Sequence, residues 1–193
     1  MPNARMRTIC WTPIWNKKRN GVGLEHLLLA DNEADSVVLA FDEERGAFRL
    51  TYRLSWDESW RLRNAQLVVS TERFSRSLIL RTDGEGHWKH GDGRAIEELD
   101  GCVDIDIWPT PFTNSFPIRR EPMAIGERRQ FRMAWIFAPE LTVQSQPQAY
   151  TRLAERLYLF ESLDGSDFKA ELHVDEDSIV VDYPELFRRV EAG

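Results

Sequence analysis

Between residues 47 and 56 apolar and polar side chains alternate without a break. Phe48, Leu50, Tyr52, Leu54 and Trp56 fall on one side of an extended chain, and Ala47, Arg49, Thr51, Arg53 and Ser55 on the other. A period of two marks a strand with one face in a core and the other toward solvent. The pattern returns at Phe168, Ala170, Leu172 and Val174 against Lys169, Glu171, His173 and Asp175, and again at Ile179, Val181 and Tyr183. Joined through Glu176 and Asp177, these two runs predict a hairpin. Further strands are expected at residues 24–30, 36–41, 65–73, 77–82, 102–108, 131–138 and 140–144.

Turn-forming residues separate many of these runs, at 42–46, 82–86, 90–93 and 163–166. Glycine there supplies the positive φ of a tight reversal, and a flanking Asp can bond its own backbone. Many short strands at close spacing predict a mainly β fold, an antiparallel meander curled into a half-barrel or a two-layer sandwich. Residues 148–160 fit two periods: Tyr150, Leu153, Ala154, Leu157 and Tyr158 keep helical spacing, while Tyr150, Arg152, Ala154, Arg156, Tyr158 and Phe160 alternate. The strand reading is preferred there. A short C-terminal helix is expected from Pro184, which suits a first helical position, with Leu186, Phe187 and Val190 on one face.

One segment breaks the pattern. Residues 108–122 contain four prolines, which predict an irregular, restricted loop rather than a central strand or a helix interior. Long loops of this kind more often bind or gate than merely connect.

Composition narrows the functional classes. The chain has 193 residues, the length of a single domain, with 42% hydrophobic side chains, seven Trp and ten Phe, enough to fill a core or line a cavity. Asp and Glu number 32 against 25 Lys and Arg, a net charge of −7 that disfavours nucleic acid as a partner. Cys10 and Cys102 have no metal or redox spacing and read as reduced thiols. The N-terminus lacks the apolar run of a secretory signal, so a cytoplasmic location is expected, and no apolar stretch is long enough for a transmembrane segment. The basic run at 16–20 reads as a solvated loop.

Chemistry concentrates at residues 103–108. On a strand, Val103, Ile105 and Ile107 share one face and Asp104, Asp106 and Trp108 the other, which places two carboxylates about 7 Å apart by Cα. Such a pair could hold a divalent ion, act as acid and base, or grip sugar hydroxyls. It could equally be solvated, or neutralised by Arg119 and Arg120 so as to fix the proline loop. Trp108, Phe112 and Phe116 nearby suit the apolar faces of carbohydrate rings, or a core. His26, His87, His90 and His173 form no metal pattern, and nucleophile-elbow, phosphate-loop and dinucleotide-binding motifs are absent.

The segment from Asp100 to Arg120, with Asp104, Asp106, Thr110, Pro111, Thr113, Asn114, Pro117, Ile118, Arg119 and Arg120 in their spacing, resembles a bacterial glycolipid-binding family of otherwise unknown function. Trp11, Gly23 to His26, Tyr52 with Trp60, Trp88, Trp135, Gln146 with Tyr150, and Val174 to Pro184 extend the resemblance over most of residues 8–190. It implies a sheet curved into a partial barrel, similar in outline to lipoprotein-localisation carriers. It further implies a glycolipid or similar amphiphile as ligand, with Glu25, Asp104, Asp106, Thr110, Asn114, Arg119 and Tyr150 at the site and Trp11 and Trp135 as walls. Bulk at 108, 112 and 116, greater than expected of the family, implies a different ligand shape. The expected function is binding in a concave sheet-walled cavity with a polar rim, in glycolipid metabolism. The alternative is an enzyme acting on a glycosylated or polar substrate through Asp104 and Asp106. Recruitment of a partner strand to an open sheet edge is a third reading. No cofactor and no metal are expected, and the sequence assigns no oligomeric state.

Overall fold

The structure, a computed structural model, describes residues 6–14 and 23–190. The first half of the chain supplies seven strands: β1 (Arg7–Pro13), β2 (Gly23–Leu29), β3 (Glu33–Asp42), β4 (Gly46–Trp56), β5 (Leu62–Ser70), β6 (Ser75–Thr82) and β7 (Trp88–His90). After β8 (Asp104–Trp108) and helix α1 (Ser115–Arg120) come β9 (Arg128–Phe137), β10 (Thr142–Ala154), β11 (Leu157–Ser162), β12 (Lys169–Val174), β13 (Val180–Tyr183) and β14 (Phe187–Arg189). All fourteen lie in one sheet of order β7-β6-β5-β4-β3-β2-β1-β14-β13-β12-β11-β10-β9-β8. The sheet is curled and unclosed. Two runs of hairpins meet where β1 pairs with β14, Trp11 opposite Arg189 and Pro13 opposite Phe187.

The expected meander is present, with one departure: β8 runs parallel to β9, which makes the sheet mixed. A parallel pair needs a crossover, and residues 109–127 provide it. The proline segment is accordingly not wholly irregular. A 3-10 turn at Phe112–Asn114 leads into α1. Pro117 is third in that helix, within the first turn, where backbone amides lack intrahelical acceptors and a missing N–H costs little.

The alternation in β4 sorts as expected: Phe48, Leu50, Tyr52, Leu54 and Trp56 are buried. Against them pack Phe112 and Phe116, both 0% exposed, with ring centroids 6.0 and 5.4 Å from Trp56. The crossover thus fills the inner face of the sheet, and the bulk at 112 and 116 is core rather than ligand wall. The 148–160 ambiguity resolves as strands, β10 turning into β11 at Glu155–Arg156, with Tyr150 opposite Phe160. The separate run at 140–144 proves to be the start of β10.

The short C-terminal helix is not formed. Pro184 to Leu186 make a turn with Glu185 at φ +67°, and residues 187–189 pair with both β13 and β1. Helical spacing loses here because β1 presents unpaired backbone groups that a strand satisfies and a helix cannot. Phe187 also buries its ring in the strand register. Among the described residues no helix is long and apolar enough to cross a membrane.

Candidate ligand-binding cavity

Three strands and a turn converge beside the edge strand β8. On β10, Gln146, Gln148 and Tyr150 are two apart and so share a face, and pairing with β11 sets Gln148 opposite Ser162 and Tyr150 opposite Phe160. The turn after β11 contributes Asp164. Gln146, Gln148, Phe160, Ser162 and Asp164, with Asp106 and Trp108 of β8, line a cavity of about 260 Å³, to which Thr110, Asn114 and Trp135 also contribute.

One wall is aromatic. Trp108 meets Phe187 edge-on at 5.8 Å, Tyr183 lies 6.1 Å from Phe187 and 6.2 Å from Phe160, and Phe168 lies 6.1 Å from Phe160. Most of the remaining lining is polar. Asp106 Oδ1 accepts the Thr113 hydroxyl at 3.1 Å and Oδ2 accepts Gln148 Nε2 at 2.6 Å. With neutral donors and, among the described residues, no cation beside it, burial lifts the Asp106 carboxyl above the ordinary range, and those hydrogen bonds hold the rise back. Burial also pushes the Tyr150 and Tyr183 phenols up, with the Asp106 charge adding to it, so both remain protonated.

The crossover is pinned by its own polar residues. Thr113 Oγ1 accepts the Ile107 amide at 3.2 Å while donating to Asp106. Asn114 donates to the Pro111 carbonyl at 3.2 Å and accepts the Tyr150 hydroxyl at 2.9 Å. Thr110 donates to Glu25 Oε1 at 2.9 Å. Ser36 and Tyr52 donate to that same oxygen, at 2.9 and 2.5 Å, while Glu25 Oε2 is buried without a partner. Burial pushes the Glu25 carboxyl up to about 7, against the pull of the three hydroxyls.

The nine residues singled out from the sequence therefore separate. Asp106, Thr110, Asn114 and Trp135 line the cavity, Tyr150 stands directly behind it on Asn114, and Glu25 is one hydrogen bond behind Thr110. Asp104, 1% exposed, does not line it: Arg120 grips both its oxygens, at 2.9 and 2.7 Å. Arg119 points to another hollow, stacked 4.1 Å over the Trp60 ring and bonded to the Asp177 carbonyl. Trp11 is fully buried and donates Nε1 to the Val180 carbonyl at 2.8 Å, bracing the sheet rather than walling the cavity.

Sequence reasoning passed over Gln146, Gln148, Asp164 and the aromatic residues of β11, β13 and β14 as site residues. A signal for the amides exists: 146, 148 and 150 form a period-two row of large polar side chains on an inward face. It becomes readable once 142–154 is taken as one strand. Among the described residues no group of three or more His, Cys, Asp or Glu is placed to hold a metal ion.

Residues 12–189 match the model of a family described as "Putative glycolipid-binding". The chain is also similar to the crystal structure of a DUF1089 family protein from Pseudomonas aeruginosa, with 51% identity and a TM-score of 0.85 over 87% of this chain and 92% of that one. No curated protein matches the sequence.

Proposed function

The chain belongs to this glycolipid-binding family, and from that premise we propose that the cavity beside β8 takes the hydroxylated head of a glycolipid-like amphiphile, in glycolipid metabolism. The observation that carries the reading is the mixed lining of one cavity: aromatic rings of Trp108, Phe160 and Phe187 beside the amides and carboxylates of Asp106, Gln146, Gln148 and Asp164. A sugar ring has apolar CH faces and a hydroxyl rim, and such walls complement both.

Size restricts how much of the ligand enters. At about 260 Å³ the cavity is smaller than the roughly 300–1,000 Å³ of drug-sized sites. The inner face of the sheet, the concave surface expected to wall the cavity, is packed by Phe112 and Phe116. The head group therefore enters and the chains lie outward, past Leu186 and Phe168 at the rim.

Two acids acting together at β8 find less support. Asp104 is held by Arg120 and does not reach the cavity, so Asp106 lacks the companion that the enzymatic alternative assigned to it.

Native mass spectrometry and solvent extraction of gently purified protein test the proposal. Retained amphiphile is expected, and Gln148→Ala should weaken rebinding of an alkyl glycoside by up to about tenfold, the upper end for one neutral hydrogen bond. Protein that carries no lipid and ignores a panel of alkyl glycosides would sink it.

A further inference from the structure

If the cavity holds a sugar-bearing head, as proposed above, its polar wall restricts which head. Asp106 and Asp164 both line it, and among the described lining residues there is no Arg, Lys or His. Among the described residues, cations on neighbouring segments are committed elsewhere, Arg120 to Asp104, and Arg128 and Lys169 to Glu161.

Most donors on this wall are also engaged. Gln148 Nε2 donates to Asp106, and Gln146 Nε2 donates to Asp164 Oδ2 at 3.1 Å. The Ser166 amide donates to Asp164 Oδ1 at 2.9 Å. The Ser166 hydroxyl and amide, then the Ser162 hydroxyl, hold the Asp164 carboxyl down to about 2, so it is ionised at neutral pH. Thr110 is turned to Glu25 and Tyr150 to Asn114.

Acceptors are in surplus. Gln146 is 8% exposed, lines the cavity, and has an Oε1 with no partner. Asp106 takes the Thr113 hydroxyl on one oxygen and Gln148 on the other, with the Ile107 amide as a third donor to the carboxylate and no charged partner among them. A cavity with two acidic side chains, an orphaned amide oxygen and, among the described residues, no lining cation favours a ligand that brings donors and positive charge.

We infer that the site selects a head group bearing an amine on a hydroxylated ring and discriminates against phosphorylated or sulfated heads. An ammonium supplies three donors to the acceptor wall, and the faces of Trp108 and Phe160 attract a cation. It also relieves the cost of an unpaired carboxylate at Asp106. A phosphate would bring acceptors to acceptors and meet the like charge of the ionised Asp164 at the rim.

Calorimetric titration of the full chain with octyl glucoside, its 2-amino-2-deoxy counterpart and its 6-phosphate tests this. The amine is expected to bind about tenfold tighter than the neutral glucoside and the phosphate about tenfold weaker, the scale of one charge-assisted contact. Asp106→Asn should reduce the amine's advantage to within about threefold while the neutral glucoside still binds, by the same arithmetic. Asp164→Asn, at the exposed rim, gives the same reading should the first variant fail to fold. A phosphate that binds as well as the amine, or an amine no tighter than the neutral glucoside, overturns the inference and leaves the binding proposal standing. Folded protein that binds none of the three overturns both.

Discussion

Glu25 shows how a single residue sets the solution behaviour of the molecule. Its carboxyl receives three hydroxyls on one oxygen, which favour the ionised form, and none on the other; among the described residues no cation touches it, and burial outweighs the hydroxyls. Folding lifts it from 4.5 to about 7, chiefly through burial. A group whose folded value is raised contributes stability that is complete below the unfolded value and is lost as pH rises to the folded one. The window is therefore about pH 4.5 to 7, and a shift of this size corresponds to about 3 kcal/mol. Glu25→Gln keeps an acceptor for the three hydroxyls and removes the titration. Urea unfolding at pH 5 and pH 8 should show wild type losing about 3 kcal/mol more than the variant over that interval. A difference between the two that does not change with pH would refute the assignment. The Asp104–Arg120 pair is the opposite case, a buried acid that does have its cation. Arg120→Ala strands that charge and should cost about 3–5 kcal/mol, whereas replacing both partners with apolar residues of similar volume should cost much less. Denaturation midpoints of the single and double variants check the ordering.

At the scale of elements, the crossover from residue 109 to 127 joins the fold to the site. Phe116 lies edge-on to Trp56 at 5.4 Å and to Trp60 at 5.5 Å, and Thr110, Thr113 and Asn114 fasten the same stretch to Glu25, Asp106 and Tyr150. Phe116→Ala opens a cavity under the crossover and should cost about 3–5 kcal/mol, read from thermal or urea unfolding. A loss under about 1 kcal/mol would mean that the segment is not held by its core side. This element also shows where the sequence was readable and where it was not. Strands such as β4 were legible because one face is solvated, and solvation enforces the alternation. β8 was placed, but its acids were read as sharing a surface, because a strand covered on both faces gives no polar side to see. The helix at 115–120 was hidden by Pro117, whose penalty vanishes in a first turn. β14 was hidden because three residues carry no period, and only the open edge of β1 decides their state. In the cavity, Asp106, Thr110, Asn114 and Trp135 were anticipated through the motif and the resemblance. Gln146, Gln148 and Asp164 depend on β10 and β11 being adjacent, a fact of pairing rather than of local pattern.

Across the whole molecule, the two runs of hairpins meet at the short seam between β1 and β14, and one residue links that seam to the cavity. Phe187 pairs with Pro13 across the seam and with Tyr183 in β13, and its ring faces Trp108 at 5.8 Å in the aromatic wall. Beyond the paired strands, the Ile14 amide donates to the Leu186 carbonyl at 2.7 Å, and the Val190 amide to the Cys10 carbonyl at 2.9 Å. A ligand seated against Phe187 therefore bears on the joint between chain segments more than 170 residues apart. Ligand that binds only the closed arrangement lowers the population of open forms by mass action, and most strongly where opening also breaks the ligand contacts. The backbone amides of Ile14, Leu186 and Val190 should accordingly exchange more slowly in the presence of saturating octyl glucosaminide. Those of β5 and β6, remote from the cavity in the strand order, should change far less. Hydrogen-exchange mass spectrometry with and without the probe separates the cases. Protection that rises equally in β5 and β6 would mean that binding stabilises the fold only globally, and Phe187→Ala should then weaken stability without uncoupling the seam from the site.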